Sequence, residues 1–415
     1  MTGISRTGIS RRTLLQAASG AAAMNVTRGF AQAKETVTFA AATFAEAGRG
    51  DKLKAWIEKF NASQDKVEVQ PVAIPFSQLA NTVFTQMGGG GGPDLVRFDQ
   101  TDFFAALPAK RILPIDDIVD ASKYTFQAPD KFLNVEGKRY GVVFELANYQ
   151  LIYNPALLKG GEPPKTFPEF LAAAKEATGK GQFGYAFRAT MPERSGFWQD
   201  LTNYVYGFGG NWADGKQLTL NSPKVVEAIT AYKQVYDAGV IPKGADAATY
   251  RRMFWEGKIA MNIDNGGVAG IFAAQNPNLK FAAAPSPFPN RQQGLILTAL
   301  SVNANTKNKK ACGVFINWML QQAAQSELQG ILGAASVATP VERPKADLER
   351  SPWLGVYDAQ TPYALPQLVL GFETKTLEVQ QVVVEQVLKI LVGNADVQKT
   401  LDEAQSLALK RIERQ

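Results

Sequence analysis

The sequence predicts an α/β protein with a mostly parallel sheet, and three observations carry that prediction. Short runs rich in β-branched and aromatic residues, at 36–41, 67–72 and 93–98, alternate with segments of helical periodicity. Strands that alternate with helices make a parallel sheet the default arrangement. The chain has 415 residues, 46% of them hydrophobic, enough for two separate cores.

The elements follow in order. The strand at 36–41 leads into a helix with Leu53, Trp56, Ile57 and Phe60 at helical spacing. A second strand at 67–72 and a helix from about Phe76 to Met87 come next. Five glycines, Gly88 to Gly92, then connect to a strand beginning at Pro93. Further on, residues 163–171 cap and start another helix, strand-like runs recur at 259–263, 295–297 and 300–302, and amphipathic helices close the chain at 378–392 and 397–412. Trp56 and Trp318 are assigned to the core, and Trp353 to a loop. The glycine run is not a phosphate loop, because no Gly-Lys-Ser/Thr follows it and the next element is a strand.

The first 33 residues differ from the rest. They carry Arg6, Arg11, Arg12 and Arg28 and no acid, and without them the formal charge of +6 falls to +2. A nearly neutral body gives no electrostatic footprint for nucleic acid. Arg11 and Arg12 precede a modestly apolar run at 17–24, and Ala31-Gln32-Ala33 supplies a small-x-small cleavage pattern. Residues 1–33 therefore read as an export signal of the twin-arginine type, with the exported chain starting at Lys34 in the periplasm. No cysteine lies near the cleavage site, so no lipid anchor is expected. Cys312, the one cysteine, sits among apolar residues and reads as a buried small hydrophobe. There is no histidine, which excludes Ser-His-Asp and Cys-His catalysis and nearly all zinc sites; no metal or cofactor is expected.

Several blocks, in this order, resemble one family: Pro93-Asp94-Leu95-Val96 with Leu113 to Asp117; Gly137 to Gly141, Leu151 to Asn154 and Pro163 to Leu171; Phe208 to Trp212; Trp255 to Ile263; and Asn308 to Ala311 with Phe315 to Met319. Together they resemble the extracellular solute-binding proteins of bacterial sugar transporters, the family that includes maltodextrin-binding proteins. The resemblance implies a two-lobed periplasmic-binding-protein fold with a multi-segment hinge. Lobe 1 would comprise 34–145 plus 299–337, and lobe 2 would comprise 146–298 plus 338–415, with crossings near Glu145, Ala299 and Val337. It implies a small carbohydrate or sugar derivative as ligand, an ABC transporter permease as partner, and a monomer without catalytic activity.

Ligands of α/β sheets sit beyond the carboxyl ends of strands. Thr43, Phe44 and Glu46 follow the first strand; Phe98, Asp99, Gln100 and Thr101 follow the Pro93 strand; Glu145, Asn148 and Tyr149 sit on the first crossing; Arg188 follows residues 183–187; and Asp264, Asn265 and Gly266 follow the strand at 259–263. Trp198 and Trp212 are candidate platforms for stacking on sugar rings. Sugar-binding members of the resembled family often carry a tryptophan just after the matching strand as a stacking platform; residues 262–268 hold no aromatic, a departure that implies a monosaccharide, disaccharide or small polar derivative, with Arg188 available to an acidic group. Two other readings remain open at this stage: an exported carbohydrate-active enzyme using Asp99 and Glu145 as paired carboxylates, and a receptor presenting ligand to a sensor.

Overall fold

The structure, a computed structural model, describes residues 34–46 and 48–413. The export signal expected at 1–33 lies outside them. Strand and helix alternate from the start: β1 (Glu35–Ala41), α1 (Gly50–Ser63), β2 (Val67–Ala73), α2 (Phe76–Gly88), β3 (Leu95–Asp99) and α3 (Gln100–Ala106). Leu53, Trp56, Ile57 and Phe60 form the buried stripe of α1, as their spacing requires. The indole N–H of Trp56 donates to the Ala324 carbonyl at 3.2 Å, so the ring is buried without a lost hydrogen bond. The glycine run that follows α2 is held in place: the Asn303 side chain donates to the Gly91 and Pro93 carbonyls. Gly90 and Gly92 take positive φ there, at 81° and 98°, a region that favours glycine. Just beyond, the Asp94 carboxylate accepts from Thr38 of β1, through both its backbone N–H and its hydroxyl, and from the Thr306 hydroxyl, pinning the start of β3.

A small hairpin, β4 (Asn134–Val135) with β5 (Lys138–Arg139), precedes β6 (Val142–Tyr153), a strand of 12 residues. The second half contains α4 (Phe167–Glu176), α5 (Arg194–Gly207), α6 (Pro223–Asp237), α7 (Ala247–Trp255), β7 (Met261–Asn265), α8 (Gly266–Gln275) and β8 (Ala282–Ala284). Thr166 caps α4, its hydroxyl accepting from the Glu169 N–H, and Pro168 sits in the first turn. The chain returns through β9 (Gln293–Val302), then α9 (Lys309–Met319), α10 (Gln322–Leu332), α11 (Lys345–Arg350), α12 (Trp353–Gln360) and β10 (Ala364–Pro366), and ends on α13 (Thr376–Val392) and α14 (Val397–Glu413). The strand-like runs expected at 295–297 and 300–302 are one strand, and Trp353 opens α12 instead of plugging a loop.

The main sheet runs β2-β1-β3-β9-β6-β7, with β10 beside β9 and β8 beside β6. It is mixed, which corrects the expectation of a mostly parallel sheet. Among the described strands only β1/β2, β1/β3 and β9/β10 are parallel pairs. β9 is antiparallel to both β3 and β6, because it brings the chain back along the path by which β6 left. These long strands divide the interior. Val142 to Ala147 of β6 pack into one core with β1, β2, β3, α1, α9 and α10. Tyr149 and Leu151 pack into a second core with α5, α6, α13 and α14. A smaller cluster gathers Ile152, Tyr250, Phe254, Phe272 and Tyr357. Near the junction Val143 pairs with Ala299 and Glu145 with Thr298, while Leu146 and Ser336 exchange backbone hydrogen bonds of 2.8 Å. Three segments thus cross side by side between the two cores, and the molecule is two-lobed.

Candidate functional site

The carboxyl ends of β1 and β3 lie beside the middle of β6, and their polar residues meet there. After β1 the chain makes a tight turn, Ala42–Ala45, before α1 begins. A Cβ on Gly50 would lie 2.5 Å from the Phe44 carbonyl oxygen, so only glycine lets α1 start this close to the turn. That close start places Arg49 against β6. Its guanidinium contacts Glu46 at 3.0 Å and Glu145 at 2.7 Å, and Arg97 of β3 contacts the other oxygen of Glu145 at 2.5 Å. Burial opposes ionisation of Glu145, but Arg49 and Arg97 outweigh it and hold the carboxyl below its ordinary value. Arg97 and Asp99 alternate along β3 onto the same face. Among the described residues Asp99 has neither a hydrogen bond nor an ion pair. Burial, with the Glu145 and Glu46 charges against Arg97, pushes its carboxyl up to about 6. Asp102, on the first turn of α3, is equally unpartnered, and burial together with Asp99 pushes it up to about 7.

A second polar group lies further along β6. A run of four residues at the rise of an extended strand separates Glu145 from Tyr149 by about 13 Å. Tyr149 donates its hydroxyl to Gln199 at 3.0 Å. Gln150 faces Asp264 across the β6/β7 pair, and both of its amide atoms are buried without partners. Asp264 is fully buried and binds Arg251 through two hydrogen bonds, of 2.9 and 3.0 Å. Burial opposes the Arg251 charge, but Asp264 outweighs it and keeps the guanidinium firmly protonated. Asn265 caps α8 by accepting from the Gly267 N–H. The two groups face each other: a Cβ on Gly267 would lie 3.7 Å from Nη1 of Arg49.

Of the residues expected from sequence, Glu46, Asp99 and Glu145 gather at the first group, and Asp264 and Asn265 at the second. Asp264 and Asn265 lie on β7 itself, which runs two residues later than expected. Gly266 packs on the third crossing, where a Cβ would meet that of Ala334 at 2.5 Å. Thr43 is fully buried with an unpartnered hydroxyl. Gln100 accepts from the Leu297 N–H, and Asn148 donates to Tyr357 and Thr361, so both amides brace the crossing. Thr101 is half-buried on α3.

Five of the expected site residues are corrected. Phe44 packs edge-on to Phe39, and Phe98 stacks on Phe84, both within the first core. Trp198 and Trp212 stack on each other at 4.8 Å, with their indole N–H groups given to the Gln367 carbonyl and the Thr202 hydroxyl; they are core, not sugar platforms. Arg188 is buried and doubly bonded to Asp200, at 2.9 and 2.5 Å. Burial opposes its charge, Asp200 outweighs that cost, and the guanidinium is turned into the lobe onto Asp200.

Sequence reasoning missed Arg49, Arg97, Asp102, Arg251 and Phe76. Asp102 was readable as the acid one turn into the helix that follows Asp99. Phe76 was readable too, since it starts α2 just past the carboxyl end of β2. Its ring is 58% exposed, an unusual state for a large aromatic.

A model of the bacterial extracellular solute-binding proteins matches residues 55–352 of this chain, which is most of its length. The chain belongs to that family. It is 22% identical over 382 residues to the sn-glycerol-3-phosphate-binding periplasmic protein UgpB of Agrobacterium fabrum, covering 83% of this chain and 86% of the relative. Among solved structures, the GacH receptor of Streptomyces glaucescens superposes with a TM-score of 0.78 at 22% identity, over 92% of this chain and 99% of that one. The cyclic alpha-maltosyl-1,6-maltose binding protein of Arthrobacter globiformis gives 0.77 at 21% identity, over 92% and 100%. These proteins are two-lobed solute receptors, the architecture this solute-binding chain shares. Among the described residues no helix is long and apolar enough to cross a membrane.

Proposed function

We propose that this protein is the periplasmic substrate-binding component of an ABC importer. It captures a small carbohydrate or sugar derivative between its lobes and delivers it to the membrane permease. The observation that carries this reading is the meeting of two polar groups, one from each lobe, across the crossing strands β6 and β9. A cleft that closes about such a hinge removes its ligand from water, and the bound ligand shifts the open–closed population. Phe76, just past the carboxyl end of the edge strand β2, supplies an exposed aromatic face of the kind that stacks on sugar rings. The relatives' names cover maltose-type sugars and glycerol phosphates, so this solute class includes both neutral and charged polyols.

The geometry also argues against the glycosidase alternative. That reading needs two carboxylates free to donate a proton and to attack. Asp99 is unpartnered among the described residues, but both oxygens of Glu145 are engaged by guanidiniums, which blunts it as a nucleophile. The test is small-angle scattering with a thermal-shift screen of sugars and polyols. A ligand that raises the melting temperature should also compact the protein. A ligand that binds tightly without changing the scattering profile would refute closure.

A further inference from the structure

β2 is the outer strand of the first lobe's sheet and, among the described strands, pairs only with β1. Such an edge is a ready template for a strand of another molecule, because every second residue turns its N–H and C=O groups away from the sheet. The Glu35 N–H donates to the Lys66 carbonyl at 2.8 Å, and the parallel register then runs from Glu35 opposite Val67 to Ala41 opposite Ala73. In that register the backbone groups of Glu68, Gln70 and Val72 face β1, and those of Val67, Val69, Pro71 and Ala73 face outwards.

The first three outward positions are closed by the chain itself. The Gln64 side chain accepts from the Val67 N–H at 2.8 Å and donates to the Val67 carbonyl at 2.6 Å. The Asn61 side chain does the same for Val69, accepting at 2.8 Å and donating at 3.0 Å. A carboxamide holds an acceptor and donors on one planar group, so each stands where a peptide unit of a neighbouring strand would stand. At the third position Pro71 has no N–H to offer. Asn61 lies inside α1, where asparagine is a poor helix former, and it is buried together with Val69. Water would satisfy the backbone of an open edge equally well. What the two amides change is which partner can reach it.

We propose that Asn61, Gln64 and Pro71 form a guard that keeps β2 from pairing with β2 of a second copy of this chain about a two-fold axis. The experiment compares the wild type with an Asn61→Leu/Gln64→Met variant, which keeps the side-chain shapes and removes the amides, and with a triple variant that adds Pro71→Val. Sedimentation over a concentration series reads association, and hydrogen exchange reads the edge. The wild type should stay monomeric, with the Val67 and Val69 amides exchanging as slowly as those of β1. The double variant should form a dimer, and the triple variant should dimerise about tenfold more tightly through the restored N–H. Val67 and Val69 should exchange fast in the dilute double variant and slowly once it dimerises. Trp212→Ala, destabilised in the other core, should remain monomeric. Folded double and triple variants that stay monomeric would overturn the inference. So would equal association of Trp212→Ala, which would trace it to lost stability, or a dimer in which Val67 and Val69 still exchange fast. Fast exchange of both amides in the wild type would overturn it whether or not the variants fold.

Discussion

Replacing Asp102 by asparagine should stabilise the ligand-free protein, and only above acidic pH. The carboxyl is pushed from 3.8 to about 7 in the fold. Each pKa unit is worth ~1.4 kcal/mol, so ionised Asp102 costs the folded state up to about 4 kcal/mol, and roughly half of that once partial solvent access is allowed for. The direction follows from which state holds the proton more tightly. Folded Asp102 does so, so its cost is absent below pH ~4, grows as the unfolded chain ionises, and levels off once the folded carboxyl ionises near pH 7. Asparagine does not titrate, although its buried amide costs a roughly constant ~1–3 kcal/mol. The informative quantity is therefore the change in the variant's advantage with pH, measured by urea denaturation at pH 4, 6 and 8. The Asp102→Asn advantage should grow by about 2–4 kcal/mol from pH 4 to pH 8. An advantage that stays flat across that range would show that Asp102 is solvated or paired, and the reasoning about an uncompensated carboxylate would fall.

The remaining predictions concern the supports of the site. Glu145→Gln should cost about 3–5 kcal/mol at neutral pH, towards the lower end because Arg49 can hydrate, and the gap to wild type should close as pH falls below the depressed pKa of Glu145; a gap unchanged in acid would refute the clamp. Asp200→Ala should cost a similar ~3–5 kcal/mol by leaving Arg188 buried and unpaired, and removing both charges should recover part of it in denaturation midpoints. Trp212→Ala should lower stability by about 3–5 kcal/mol through lost packing and the lost donor to the Thr202 hydroxyl. If binding is lost while melting is unchanged, Trp212 is a stacking platform after all. Phe76→Ala should leave the melting temperature within a degree or two and weaken sugar binding by about 1–3 kcal/mol, as calorimetry would show.

Much of the fold was legible because local patterns and tertiary burial agree in it. The Leu53, Trp56, Ile57 and Phe60 stripe buries as its spacing requires, and so do the terminal helices α13 and α14. Strand direction was not legible. Whether β9 runs with or against β3 depends on where a chain nearly two hundred residues longer returns, and no local pattern records that. The site divides the same way. The rule that ligands gather at strand ends pointed to Glu46 and Asp99, and the expected crossing to Glu145, but nothing local marks the partners that decide their charge state. Arg49 pairs across 96 residues with Glu145, and Arg97 across 48. The tryptophans were misread because α5 is buried nearly all round, so no polar face showed which way Trp198 points.

The place of β9 in the sheet has a consequence for biosynthesis. β3 finds its outer neighbour only when β9 emerges, roughly 190 residues later, and the second core waits for the last helices of the chain. Until then a growing chain carries β3 as an open edge able to pair with any strand it meets, including one from another copy. Neither lobe is an independent apprentice that can finish early and shelter the other. Folding must be close to a single late event, and a ribosome-bound fragment ending before β9 should depend on holding chaperones far more than the full chain does.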